Sequence, residues 1–157
     1  MNGISLNSSS ANTVKNISDV KGNGNYGIII SNSSSSNKVI GVKVDSNKKS
    51  GIAVSGSSSS NTLTNNVSKN NGGNGVLIYN SANNIVSASS FSANKNYGLT
   101  ISGNSRSNKA TLCNSNNNKK GQAVITGKSS NNNVDVIKTD NKAKGTLPSI
   151  PQGVKLG

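Results

Sequence analysis

Carboxylate side chains are the usual source of hydrolytic chemistry, and this chain has few of them. Its acids are Asp19, Asp45, Asp135 and Asp140. Glycosidases generally place two carboxylates across the bond that they cleave. Asp19 and Asp45 fall on successive copies of a repeat that runs through the chain, so they are the best candidate pair. The competing interpretation, which we favour, is that they are solvated acids that balance nearby lysines.

Other catalytic and metal-binding combinations have no candidates. The chain has no histidine, so a Ser-His-Asp triad cannot form within it. Zinc and copper sites draw mainly on His, Cys and Met, of which the chain has only one cysteine, Cys113, and one methionine. We therefore assign no catalytic, metal-binding or cofactor-binding residue. Cys113 is predicted to be a small buried hydrophobic residue.

Lysine is the more suggestive residue type. The formal net charge is +13, from 17 basic residues against 4 acids. A field of this sign attracts polyanions such as an acidic polysaccharide. Nine lysines shortly precede a repeat start and are predicted to form a cationic stripe: Lys21, Lys48, Lys49, Lys69, Lys95, Lys119, Lys120, Lys142 and Lys144. The alternative is that lysine simply populates turns and keeps the protein soluble. Nucleic acid is a poor candidate because only 3% of the residues are aromatic, too few for base stacking.

A regular repeat must position these side chains. The phrase Gly-apolar-x-apolar begins at Gly3, Gly27, Gly51, Gly75 and Gly98, and a worn copy begins at Gln122. The starts are 24, 24, 24, 23 and 24 residues apart, which is typical of a stacked solenoid. Only 30% of the residues are hydrophobic, a composition that without periodicity would predict disorder. Their regular spacing favours a folded coil instead.

Each repeat predicts three short strands. The opening phrase alternates apolar and variable residues, as a strand with one buried face does. A second strand follows a recurrent asparagine, at Asn12, Asn37, Asn61, Asn84 and Asn108. Strands of successive repeats would pair in parallel at about 4.8 Å, and the asparagine column would hydrogen-bond from rung to rung. The prediction is an all-β coil of about six rungs and three parallel sheets. A helical repeat is excluded because Ser, Asn, Gly, Val and Ile are poor helix formers.

These motifs resemble the parallel β-helix repeat family, whose members include pectate lyases, polygalacturonases and alginate epimerases. The resemblance covers most of the chain and implies a right-handed coil. A pectate-lyase-like site would also imply a calcium ion held by several carboxylates and an arginine base. The chain departs from that pattern, since it has no glutamate cluster and its single arginine, Arg106, has no acid nearby in sequence.

The repeat sets the domain organisation. We predict one β-helix domain over residues 1–145 and a tail or cap strip over residues 146–157, where Pro148 and Pro151 cannot donate ladder hydrogen bonds. No apolar run is long enough for a membrane helix. No signal peptide is visible at the N-terminus. The expected location is extracellular or at the cell surface.

Two functions remain open at this point. The favoured expectation is a non-enzymatic structural or adhesive module that stacks end to end into filaments and contacts polyanions through its lysines. Uncapped coil ends, with unpaired strand edges, are the reason for expecting self-association. The alternative is a fragment or decayed relative of a carbohydrate-active β-helix enzyme, such as a polysaccharide lyase, hydrolase or epimerase. This second reading rests on fold analogy.

Overall fold

The computed structural model describes residues 1–138, which form a coil of short strands. Rungs 1 to 3 contain β1 (Ile4–Asn7), β2 (Thr13–Lys15), β3 (Val20–Lys21), β4 (Ile28–Ser31), β5 (Lys38–Ile40), β6 (Lys43–Asp45), β7 (Ile52–Val54), β8 (Thr62–Thr64) and β9 (Val67–Lys69). Rungs 4 to 6 contain β10 (Val76–Tyr79), β11 (Ile85–Ser87), β12 (Ser90–Ser92), β13 (Tyr97–Ser102), β14 (Lys109–Asn116), β15 (Gly121–Ile125) and β16 (Asn133–Lys138). Within residues 1–138 no helix is long and apolar enough to cross a membrane.

The strands form parallel sheets along the coil. The first sheet has the order β1-β4-β7-β10-β13-β15. The second has the order β2-β5-β8-β11-β14-β12-β9-β6-β3, and β16 also pairs with β14. Strand β14 is long enough to belong to both halves of this second sheet. We call the half containing β2, β5, β8 and β11 the first arm, and the half containing β3, β6, β9 and β12 the second arm. The first sheet and the two arms are the three predicted faces, and the all-β solenoid is confirmed.

The core is a stack of identical positions. Ile4 pairs with Ile28, Ile28 with Ile52, and the column continues through Val76, Leu99 and Ala123. Ile28, Ile52 and Leu99 are fully buried. Because each rung buries its apolar side chains against the rungs on either side, one rung alone would lack a core. The repeat, rather than any local segment, therefore makes the fold stable.

Asparagine side chains run through the coil in two ladders. In the first ladder each Nδ2 donates to the Oδ1 of the next rung at 3.0 Å, as predicted for Asn12, Asn37, Asn61, Asn84 and Asn108. Its sixth member is Asn132. A second ladder, which the sequence analysis did not single out, joins Asn23, Asn47, Asn71, Asn94 and Asn118 at 2.8–3.0 Å. Since nearly all these amides are buried, their bonds replace those lost to water.

The repeat glycine is required by the second ladder. A Cβ at Gly51 would collide with Ser68 Oγ and would lie 2.7 Å from Asn71 Nδ2 and 3.0 Å from the Gly75 carbonyl oxygen. No side chain fits here, because the second arm and the second ladder of the same rung, and the backbone of the next rung, all approach closely. The glycine therefore begins the strand of the first sheet by leaving room for these contacts.

The corner of rung 5 is irregular. The pairing of β14 with β16 shifts register between Ala110 and Cys113. Leu112, at this corner, adopts a left-handed φ of 54° and is 66% exposed. Beside it, Cys113 is fully buried, as predicted.

Candidate functional site

The candidate acid pair is divided between two ion pairs on the outer surface of the second arm. The Asp19 carboxylate lies 2.5 Å from the ammonium of Lys21. Asp45 lies 3.6 Å from the ammonium of Lys69. Asp45 also accepts hydrogen bonds from Ser46 Oγ at 2.6 Å and Asn70 Nδ2 at 3.0 Å. Both carboxylates therefore have a structural role here, and Asp140 lies outside the described residues.

Electrostatics keeps these pairs charged. Burial opposes ionisation of Asp45, but the hydrogen bonds from Ser46 and Asn70 and the positive charge of Lys69 outweigh it, so its pKa is lowered. The hydrogen bond to Asp19 and its negative charge raise the pKa of Lys21. A general acid for glycoside hydrolysis needs a raised carboxyl pKa. Asp45 has the opposite shift.

The predicted lysine stripe divides into separate columns. The backbone N–H groups of Lys48, Lys95 and Lys119 each donate to the Asn carbonyl of the preceding rung, which places these lysines at one register. Lys49 and Lys120 occupy the adjacent register. We call Lys48, Lys49, Lys95, Lys119 and Lys120 the lysine edge; it lies in the turns that lead from the second arm into the first sheet.

The other four predicted lysines lie elsewhere. Lys21 and Lys69 are on the second arm, where Asp45 stands between them in the strand register. Their charges are partly neutralised by the two ion pairs. Lys142 and Lys144 lie outside the described residues. The lysine edge is therefore the part of the stripe whose charge is not offset by a salt bridge within residues 1–138.

The turns of the lysine edge lead directly onto the outer face of the first sheet. One outward column there contains Ser5, Ile29, Ala53, Leu77, Thr100 and Val124. Ala53 is fully buried although it points away from the core. This apolar column was not predicted from the sequence, although the middle residue of the Gly-apolar-x-apolar phrase was the signal for it.

Three tyrosines frame this face. Tyr26 and Tyr97 lie beside the lysine edge, and the ammonium of Lys49 is 5.3 Å from the centroid of the Tyr26 ring. A Cβ at Gly121 would lie 3.4 Å from the ring of Tyr97, so that ring packs on the next rung. Tyr79, at the far end of β10, is 47% exposed. We call this surface the tyrosine face; its outward residues include Tyr26, Ile29, Asn74, Leu77, Tyr79, Tyr97 and Thr100.

Charge on this surface has one sign. Asp19 and Asp45 are on the second arm, and Asp135 is in β16, which pairs with the second sheet. No acid described in residues 1–138 therefore belongs to the tyrosine face or the lysine edge. Nor does any group of three His, Cys, Asp or Glu side chains in the described part of the chain have the arrangement of a metal site. The site can supply cations, aromatic rings, amides and hydroxyls.

The coil, its ladders and its parallel sheets define a β-solenoid protein of the β-helix type. Residues 2–147 match the family described as "Right handed beta helix region", and the chain belongs to that family. No curated protein matches the sequence.

Solved structures of the same fold include the periplasmic alginate epimerase AlgG. The similarity has a TM-score of 0.73 at 20% identity and covers 99% of this chain and 38% of the epimerase chain. A mutant of that enzyme gives a TM-score of 0.78 at 18% identity, covering 99% of this chain and 46% of the other. The chain thus spans less than half the length of the epimerase chains. At this identity the similarity shows the fold.

These comparisons correct one expectation. The favoured interpretation, a non-enzymatic structural or adhesive module that forms filaments, is wrong, since the matching structures are those of a carbohydrate-active enzyme. The composition misled because Ser and Asn build the turns and ladders of this coil, whatever its outer surface does. The alternative, a relative of carbohydrate-active β-helix enzymes, is the better supported one.

Proposed function

We propose that the chain is the polysaccharide-holding β-helix of a carbohydrate-active protein and that its ligand is an acidic polysaccharide. The fold similarity to an alginate epimerase supports the first part of the proposal. Alginate is a polymer of uronic acids, so each sugar of that polymer carries a carboxylate. The net charge of +13 on this chain suits a ligand of that kind.

The observation that carries the proposal is the meeting of the lysine edge with the tyrosine face. Tyrosine rings offer flat apolar surface together with a hydroxyl, which suits the mixed character of a sugar ring. Lys95 and Lys119, on successive rungs at one register, offer charges separated by about one strand spacing, about 4.8 Å. A chain of acidic sugars lying along the coil axis would meet both features at once.

The described residues support binding more directly than they support a particular reaction. Two-carboxylate hydrolysis needs a pair of acids at the bound sugar, and the acids described in residues 1–138 lie on the other sheet. We therefore propose a binding role for this surface and assign no catalytic residue to it. An envelope or extracellular location belongs to the same proposal, supported by the periplasmic location of the similar epimerase.

Affinity electrophoresis through a gel containing a polyuronate, compared with a gel containing a neutral glucan, tests this proposal. We expect strong retardation by the polyuronate and weak retardation by the glucan. Binding should weaken between about 50 mM and 200 mM salt, because each lysine contact releases a counterion. Equal mobility in both gels at low salt would contradict the proposal. Equal retardation by polyglutamate would also contradict it, since the tyrosine face would then play no part.

A further inference from the structure

The side-chain amide of Asn74 has a hydrogen-bonded oxygen and a nitrogen without a hydrogen bond to residues 1–138. Its side chain lies on the tyrosine face and its residue is 9% exposed. Its Oδ1 accepts a hydrogen bond from the Tyr97 backbone N–H at 3.1 Å and another from Thr100 Oγ1 at 2.9 Å. Its own backbone N–H donates to Ser50 Oγ at 3.0 Å. The oxygen is therefore fixed in place by the next rung.

The Asn74 Nδ2, in contrast, makes no hydrogen bond to any residue described in 1–138. Ladder amides behave differently: Asn71 Nδ2 donates to Asn94 Oδ1 at 3.0 Å. The Asn74 Nδ2 is not fully enclosed either. It is therefore the open end of a side chain that is otherwise nine-tenths buried. An amide donor that is held so firmly and left open is ready for a ligand acceptor.

We propose that Asn74 is a specificity-determining residue, whose Nδ2 donates a hydrogen bond to a carboxylate or hydroxyl oxygen of the bound acidic sugar. The inference rests on the proposed function and names one atom that hydrogen-bonds the ligand there. Tyr97 and Thr100 hold the amide in orientation, because they occupy its oxygen and leave only the nitrogen for the ligand. The lysine edge attracts the acidic polysaccharide by its charge, and Asn74 fixes the position of one sugar by a hydrogen bond.

The test is the variant Asn74→Asp, which keeps an acceptor for Tyr97 and Thr100 and removes the donor. Hydrogen bonds to charged groups contribute about 1.5–3 kcal/mol, so we expect the Kd for a polyuronate to rise roughly tenfold to a hundredfold. The matched control is Asn96→Asp, which makes the same charge change within the neighbouring turn. Its side chain makes no hydrogen bond to residues 1–138, and it shares the register of Lys49 and Lys120, so it reports the effect of the added charge alone. We expect a clearly smaller rise in Kd for Asn96→Asp than for Asn74→Asp.

The possible outcomes distinguish the role of Asn74 from the proposed function. If the wild-type chain binds polyuronate and Asn74→Asp weakens binding no more than Asn96→Asp does, the role of Asn74 is refuted while the proposed function stands. If the wild-type chain does not bind polyuronate, the proposed function fails and this inference fails with it. Circular dichroism checks that Asn74→Asp is folded. Should it not fold, Thr100→Val decides, because it removes one of the two hydrogen bonds that hold the amide in orientation: weaker binding supports the role, and unchanged binding overturns it.

Discussion

At the scale of single residues, buried amides determine how one rung recognises the next. Asn61 Oδ1 accepts from both the backbone N–H and the Nδ2 of Asn37, each at 3.0 Å. Its own Nδ2 donates to the Ser34 carbonyl at 3.1 Å and to Asn84 Oδ1 at 3.0 Å. Asparagine is suited to this position because one side chain can accept from one rung and donate to another.

Replacing Asn61 by alanine should be strongly destabilising. The change leaves the Asn37 donors unpaired in a buried setting, and each such group costs about 1–3 kcal/mol. We expect the free energy of unfolding to fall by about 3 kcal/mol, measured by urea denaturation followed by circular dichroism. Asn114→Ala is the matched control, because Asn114 is exposed on the second arm and should change stability little. Equal losses in both variants would contradict the role of the ladder.

Asp45 should make stability dependent on pH in the acid range. Its pKa is lowered in the folded chain from an ordinary value of 3.8, so the unfolded chain binds more protons there. The stabilisation is present above the ordinary value and is lost as the pH falls through the lowered pKa. Denaturant unfolding at a series of pH values should show a shallower acid loss for Asp45→Asn than for the wild type. Parallel pH profiles would contradict the lowered pKa of Asp45.

At the scale of secondary structure, the corner between the two arms repeats a left-handed residue in every one of the first five rungs. Asn16, Gly41, Asn65 and Ala88 occupy the corner position in rungs 1 to 4, and each has a positive φ. Rung 5 places Leu112 there, at φ 54°. A left-handed conformation costs most L-residues about 1–2 kcal/mol, and asparagine tolerates it better.

Leu112→Asn should therefore stabilise the chain. We expect a gain of about 1 kcal/mol, from the relieved left-handed strain. Thermal unfolding measures it as a higher Tm. Leu77→Asn is a useful comparison, since that residue is half-buried in an ordinary strand of the first sheet, and the same substitution there should lower the Tm. A lower Tm for Leu112→Asn would mean that the exposed leucine makes a stabilising contact.

Much of the secondary structure was predictable from the sequence, and particular residues show why. The spacing of Gly3, Gly27 and Gly51 predicts the strands of the first sheet because the core and the glycine contact repeat with each rung. The first asparagine ladder was predicted for the same reason, whereas the second was missed. The interruption of the lysine columns was readable from the sequence as well, since Lys48, Gly72 and Lys95 each lie three residues before a repeat start.

Contacts between rungs determine the surroundings of side chains that sequence spacing does not distinguish. Lys21 and Lys95 both precede a repeat start, yet Lys21 pairs with Asp19 on the second arm and Lys95 lies in the lysine edge. The role of Asn74 was equally hidden, because its unused Nδ2 is defined by contacts with Tyr97 and Thr100 in the next rung. The functional prediction was wrong for a different reason. The residues that build the rungs dominate the sequence pattern, whereas the outward residues do not repeat.

At the scale of the whole molecule, the coil separates its charges by face. The acids described in residues 1–138 accompany the second sheet, whereas the lysine edge borders the first sheet. Other lysines, including Lys15, Lys38 and Lys109, point outward from the first arm. The coil is therefore basic on several sides, and only one of them also carries the tyrosine face.

The most direct test compares two triple variants with the same change in net charge. One is Lys48→Gln, Lys95→Gln, Lys119→Gln on the lysine edge, and the other is Lys15→Gln, Lys38→Gln, Lys109→Gln on the first arm. Binding to a polyuronate is measured by calorimetry across a salt series. We expect at least tenfold weaker binding for the lysine-edge variant, with a salt dependence reduced by about three counterions. For the first-arm variant we expect a change of less than about threefold. Equal losses in the two variants would contradict a polysaccharide site at the lysine edge.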